Sequence, residues 1–115
     1  MKRLISKNDF KNKLVKWLNE KTAMNFSGVI LDDYAIRIKA KIPFKISKEE
    51  LRNMDYQAYK SGFTKYLMEF KKQFSFNIYV KDNVIDIWIT ILSDKVEEKL
   101  LEKCRKVLLN FFQNS

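Results

Sequence analysis

Histidine is missing from the sequence, and cysteine occurs once, at Cys104, in 115 residues. Without His the commonest general base and metal ligand is absent, and a single thiol builds neither an intramolecular disulfide nor a zinc cluster. Glycine (two) and proline (one) are nearly as scarce. So few chain breakers leave no glycine-built phosphate loop and little irregular connection, so most of the chain is expected in helix or strand. Acids are outnumbered, 14 Asp and Glu against 23 Lys and Arg, for a formal charge of +9. That excess favours polyanionic partners: nucleic acid, an anionic membrane surface or an acidic protein. No apolar run approaches the about eighteen residues of a membrane span. The start, MKRLISKNDFK, is basic like a signal peptide but lacks the apolar stretch that would follow. These absences lead to the expectation of a cytoplasmic protein in a reducing setting, without cofactor, metal or membrane partner. The richness in Lys, Asn and Ile fits an AT-rich microbial or mobile-element genome.

Bulky apolar material is plentiful: 46% of residues are hydrophobic and 14% aromatic. That suffices for one core, and the length suits one α+β domain over residues 1–115. Phe10, Leu14, Trp17 and Leu18 recur at helical spacing between Asn8 and Lys21. FSGVILDDYAIRIKAKI, residues 26–42, reads as a hairpin turning at Asp32-Asp33 and ended by Pro43. Ser47 and Glu50 have capping-box spacing, and a stripe of Leu51, Met54, Ala58, Gly62, Tyr66, Phe70 and Phe74, widened by Tyr59, Phe63 and Leu67, predicts a helix to about residue 73. A break at Ser61-Gly62 into two shorter helices is the alternative. SFNIYVKDNVIDIWITIL predicts a second hairpin with Asp82-Asn83 in its loop, pairing Ile78 with Ile87, Val80 with Ile85 and Tyr79 with Asp86. Asp94 with Glu97 repeats the cap signature before a last helix carrying Val96, Leu100, Cys104, Val107, Leu108 and Phe111. The expected order is helix, hairpin, helix, hairpin, helix, with an antiparallel sheet packed on helices. The two hairpins overlay with Ile36-Arg37-Ile38 on Ile85-Asp86-Ile87, a pattern compatible with a ββα duplication.

The acids and the thiol read as structural. Cys104 lies on the apolar stripe of the last helix, where free Cys behaves as a small hydrophobe. Asp82 and Asp94 belong to a turn and a cap, and Asp86, in mid-strand, suits a cross-strand partner for a cation. No nucleophile elbow or carboxylate cluster favours an enzyme.

The cations give the stronger signal. With Ile36, Ile38, Ala40 and Ile42 facing the core, Arg37, Lys39 and Lys41 face the other way, about 7 Å apart. Lys45 follows, and the second hairpin adds Tyr79, Lys81 and Trp88 to the same face. A cationic row beside aromatic rings is what a single-stranded nucleic-acid platform uses for phosphates and bases. The same row also suits the guarding of a sheet edge, with Trp88 covered by the first helix.

With a break at Ser61-Gly62 the order is similar to a winged helix-turn-helix over residues 9–92. That resemblance implies a reading helix from Phe63 with Thr64, Lys65, Lys71 and Lys72 near DNA, and Lys81-Asp82-Asn83 at the wing tip. The five-element order is also broadly similar to the dimeric chaperones of type III secretion, which are usually acidic where this chain is basic. Two function classes follow. One is a non-enzymatic nucleic-acid-binding accessory or regulatory protein, DNA ahead of RNA. The other is a protein-interaction module (adaptor, secretion chaperone or inhibitor) docking an acidic protein, with a homodimer through the C-terminal helix in view.

Overall fold

The chain folds into three helices and an antiparallel sheet, here described over residues 3–67 and 72–114 of a computed structural model. The elements are β1 (Leu4–Ser6), α1 (Lys7–Lys21), β2 (Ser27–Leu31), β3 (Ala35–Lys41), α2 (Lys48–Ser61), β4 (Phe63–Leu67), β5 (Lys72–Lys81), β6 (Val84–Ile91), β7 (Lys95–Glu97) and α3 (Leu100–Gln113). Five strands form one sheet in the order β2-β3-β6-β5-β4, and β1 pairs separately with β7. The α+β class expected from the sequence is the observed one.

Both hairpins turn where the acids and amides stand. Asp32, Asp33, Asp82 and Asn83 all have positive φ, between 51° and 66°. Asx side chains enter that left-handed region several-fold more readily than other non-glycine residues, so the turns form without glycine. The register of the second hairpin matches the pattern: Ile78 opposes Ile87, Val80 opposes Ile85 and Tyr79 opposes Asp86. The hairpins then join through β3 and β6, which pair from Ala35↔Thr90 to Lys41↔Val84. Alternation leaves no freedom here, because a one-residue slip of β3 would drive Arg37, Lys39 and Lys41 inward and turn Ile36 and Ile38 out. Each isoleucine so exposed would forfeit about 1.5–3 kcal/mol of burial.

One face of the sheet is the core wall. Ile36, Ile38, Phe74, Phe76, Ile78, Ile85, Ile87, Ile89 and Ile91 are buried there with Phe10, Leu14 and Leu18 of α1 and Leu100, Leu101, Cys104, Leu108 and Phe111 of α3. The stripe of α3 that suggested self-association is thus occupied within the chain's own core. α1 is capped by the Ser6 hydroxyl, which accepts from the Asp9 amide at 3.1 Å, and α2 by Ser47, which accepts from the Glu50 amide at 3.1 Å.

Two expectations are corrected. The stripe from Leu51 does not continue as helix to residue 73: α2 stops at Ser61, and Phe63–Leu67 is strand β4, so the helix-turn-helix has no second helix at Phe63. Phe63, Lys65 and Leu67 satisfy period two as well as they served the helical stripe, and Phe63 stacks on Phe74 and Phe76 at ring distances of 5.9 and 5.3 Å. Gly62 makes the change of direction possible, since a Cβ there would lie 2.5 Å from Asn77 Oδ1 and 3.3 Å from the Phe76 carbonyl oxygen. Phe70 falls outside the described residues. Nor do Asp94 and Glu97 cap the last helix. Lys95–Glu97 is strand β7 on β1, and α3 begins after Lys99 with no side-chain cap.

Candidate functional site

The face opposite the core carries the cations. α1 packs on the core side, where Lys11 and Val15 crowd Gly28 next to Ile38, so it does not cover Trp88. Registered rows run across the open face: Val29, Arg37, Trp88 and Asn77; then Ser27, Lys39, Asp86 and Tyr79; then Lys41, Val84 and Lys81. Lys39, Lys41, Lys81 and Tyr79 are exposed, while Arg37, Asp86 and Trp88 are partly covered. Arg37, Lys39, Tyr79, Lys81, Asp86 and Trp88, with Asp82 and Val84, line a shallow depression of about 430 Å³.

Within this face the arginine differs from the lysines. Arg37 Nη2 donates to Asp86 Oδ2 at 2.7 Å, and its Nε donates to both carboxylate oxygens at 3.1 and 3.2 Å. The guanidinium also lies 4.7 Å from the Trp88 ring centroid. Its hydrogen bonds to Asp86 hold the Arg37 pKa above its ordinary value, outweighing desolvation. Asp86 is therefore the cross-strand partner that its mid-strand position implied, and Arg37 braces the tryptophan. Among the described residues no ion pair engages Lys39, Lys41 or Lys81. Three free ammonium groups thus flank one ring that is held in place and another, Tyr79, that is 52% exposed.

The remaining sequence candidates separate. Thr64 shares the open face through β4, its hydroxyl 3.4 Å from that of Ser75. Lys65 alternates to the opposite side, with Phe63 and Leu67, and Lys72 begins β5 in register with Leu67. Lys45 is exposed in the connection after β3, beside Lys41 and Phe44. Lys71 lies outside the described residues. The residues that sequence reasoning missed are on α2: Arg52, Asp55, Tyr56 and Tyr59 fall at i, i+3, i+4 and i+7, and face Asn77 and Tyr79 across a cleft of about 440 Å³. Their helical spacing is visible in the sequence, but the apolar stripe that predicts the helix includes Tyr59, which is 85% exposed.

Two other depressions compete poorly. The one of about 690 Å³ around β7 and α3 holds charges that answer one another: Glu98 with Arg3 at 3.3 Å and Lys13 at 2.8 Å, Glu97 with Lys99 at 3.4 Å, Glu102 with Arg105 at 2.6 Å. The other is apolar, formed by Met24, Ile42, Phe44, Ile46, Met54 and Phe112 under the rim acids Glu49 and Glu50. Among the described residues no group of three or more Cys, Asp and Glu side chains is placed to hold a metal ion, and no helix is long and apolar enough to cross a membrane.

No family model, curated protein or solved structure matches the chain.

Proposed function

We propose that this chain is a non-enzymatic nucleic-acid-binding protein whose contact surface is the open face of the five-stranded sheet. The observation that carries this reading is the unpaired lysine trio, Lys39, Lys41 and Lys81, set around Trp88 and Tyr79 on strands β3, β6 and β5. Ammonium groups at alternate strand positions follow a phosphodiester backbone, and aromatic faces accept bases whatever their sequence. Arg37, bonded to Asp86, holds Trp88 beside the lysines, and a ring so held is a ready stacking surface for a base. Lys45 extends the cationic track past the end of β3.

Fluorescence anisotropy with labelled oligonucleotides, DNA and RNA, across a salt series tests the reading. Binding at low salt should weaken as salt rises, and K39E/K41E/K81E should reduce the log–log salt slope by about 2, three contacts at roughly 0.7 each. Polyglutamate serves as the control polyanion. Equal affinity for polyglutamate, an affinity indifferent to salt, or no change in the triple variant would sink the proposal in favour of an acidic-protein partner or of no polyanion site.

A further inference from the structure

The cleft between α2 and β5 adds a second feature to the open face, and it shares a wall with the first. Tyr79 lines both the lysine depression and the cleft. Across from it stand Tyr56, 58% exposed, and Tyr59, 85% exposed, on consecutive turns of α2. The floor is apolar, Ala58 and Ile78, and the rim carries Arg52, Asp55 and Asn77, which between them offer donors and acceptors. Lys60 Nζ lies 4.6 Å from the Tyr56 ring centroid, so a cation accompanies the rings.

Three tyrosines kept in water at a helix-strand junction need a physical reason, because each forgoes the burial that an aromatic ring ordinarily gains. Stacking on a planar ligand supplies one. The position fixes the kind of ligand: a strand whose phosphates lie over Lys39, Lys41 and Lys81 passes Trp88 and Tyr79 and reaches α2 within a few residues' breadth. In a duplex the bases are stacked on each other and their π faces are closed to protein; only unpaired bases offer them.

Resting on the nucleic-acid reading above, we infer that the tyrosine cleft of α2 and β5 receives an unpaired base, and that the protein's ligand is therefore single-stranded rather than duplex. Tyr56, Tyr59 and Tyr79 stack on the base, the rim groups meet its edge, and the lysine trio holds the adjoining phosphates. No covalent step is involved.

The test uses the full chain, a single-stranded 15-mer, the same sequence as a duplex, and a single strand carrying 2-aminopurine. The wild type should bind the single strand more tightly than the duplex and quench 2-aminopurine on stacking. Y56A/Y59A, both at exposed positions, should lose about tenfold in single-strand affinity, the scale of one stacked base, and lose the quenching, while duplex affinity stays as it was. Y56F/Y59F, which keeps the rings, should behave as wild type. Duplex bound as tightly as single strand, or Y56A/Y59A binding and quenching like wild type, would overturn this inference while leaving the lysine face intact. Failure of the underlying reading looks different: neither nucleic acid binds at low salt, or the lysine triple variant binds both as well as wild type, and the cleft proposal falls with it.

Discussion

Asp86 stands directly opposite Lys39 in the β3-β6 register, yet it bonds the diagonal neighbour Arg37, through three contacts of 2.7 to 3.2 Å. The planar fork of the guanidinium matches a carboxylate in a way that an ammonium does not, so the arginine captures the acid and Lys39 remains free. One acid thereby fixes Trp88 through Arg37 and leaves the lysines available to a ligand.

Asp86→Asn separates these roles. The amide keeps the volume and one acceptor oxygen of the carboxylate but lacks its charge, so the hold on Arg37 is weakened and the face loses its one mid-strand acid. Thermal stability should fall, whereas affinity for a single-stranded oligonucleotide should rise, with a salt slope steeper by about 0.7 for one added phosphate contact. A weaker-binding D86N variant that is still folded by circular dichroism would mean that the hold of Asp86 on Arg37 and Trp88, and not the negative charge of Asp86, governs affinity.

Cys104 should be silent in the native protein. It is fully buried on α3 among Leu100, Leu101 and Leu108, and burial pushes its thiol pKa well above the ordinary range, so little thiolate forms at neutral pH. Labelling with a thiol reagent should track unfolding: slow in buffer, rapid and stoichiometric in denaturant. Fast labelling of the folded chain would place Cys104 at the surface and break the account of α3 as a core helix.

The hairpins and their inward faces were legible in the sequence because period two, Asx-rich turns and isoleucine alternation agree with one another from Ile36 to Ile42 and from Ile78 to Ile91. What was not legible depended on contacts distant in sequence. Phe63 and Leu67 fit a helical stripe and a strand equally well, and what decides for β4 is its pairing with β5 and the stacking of Phe63 on Phe74 and Phe76. Glu97 has the spacing of a cap from Asp94, but pairing with Leu4 takes it into β7. In the candidate site, Lys39, Lys41, Lys81, Tyr79 and Trp88 followed from alternation within three strands, β3, β5 and β6. The α2 tyrosines did not, since which side of a helix meets water is set by the sheet edge beside it.

Gly62 can be tested where α2 gives way to β4. Its φ of −61° suits any residue, so the constraint is space: the added methyl meets Asn77 Oδ1 at 2.5 Å and the Phe76 carbonyl oxygen at 3.3 Å. Overpacking costs roughly 1–3 kcal/mol, and the lost backbone freedom of the unfolded chain returns about 0.4–1 kcal/mol. G62A should therefore destabilise by about 1 kcal/mol in urea denaturation. In an N77A background the nearer obstacle is gone, and the same change should become neutral or mildly stabilising. An identical cost in both backgrounds would show that the backbone at Phe76, not Asn77, sets the limit.

Acid sensitivity should centre on Glu98, which joins the start of the chain to α1. Its carboxylate accepts from Lys13 Nζ at 2.8 Å and pairs with Arg3 at 3.3 Å, while the Glu98 amide donates to the Arg3 carbonyl at 2.9 Å. The hydrogen bond from Lys13, with the charges of Arg3, Lys13 and Arg105, holds its pKa below the ordinary glutamate value of 4.5. Because the folded value is the lower one, the unfolded chain binds more protons near that pH, and stability rises with pH there. The contribution of the pair is complete above the ordinary glutamate range and is lost as pH falls through the depressed folded value. Wild type should accordingly melt higher than E98Q at pH 7, and the gap should close as the buffer is taken below the ordinary glutamate range. The gap should also narrow in high salt, since the groups are partly exposed. A gap that persisted unchanged into strong acid would mean that Glu98 acts through packing or its backbone bond to Arg3, and not through its charge.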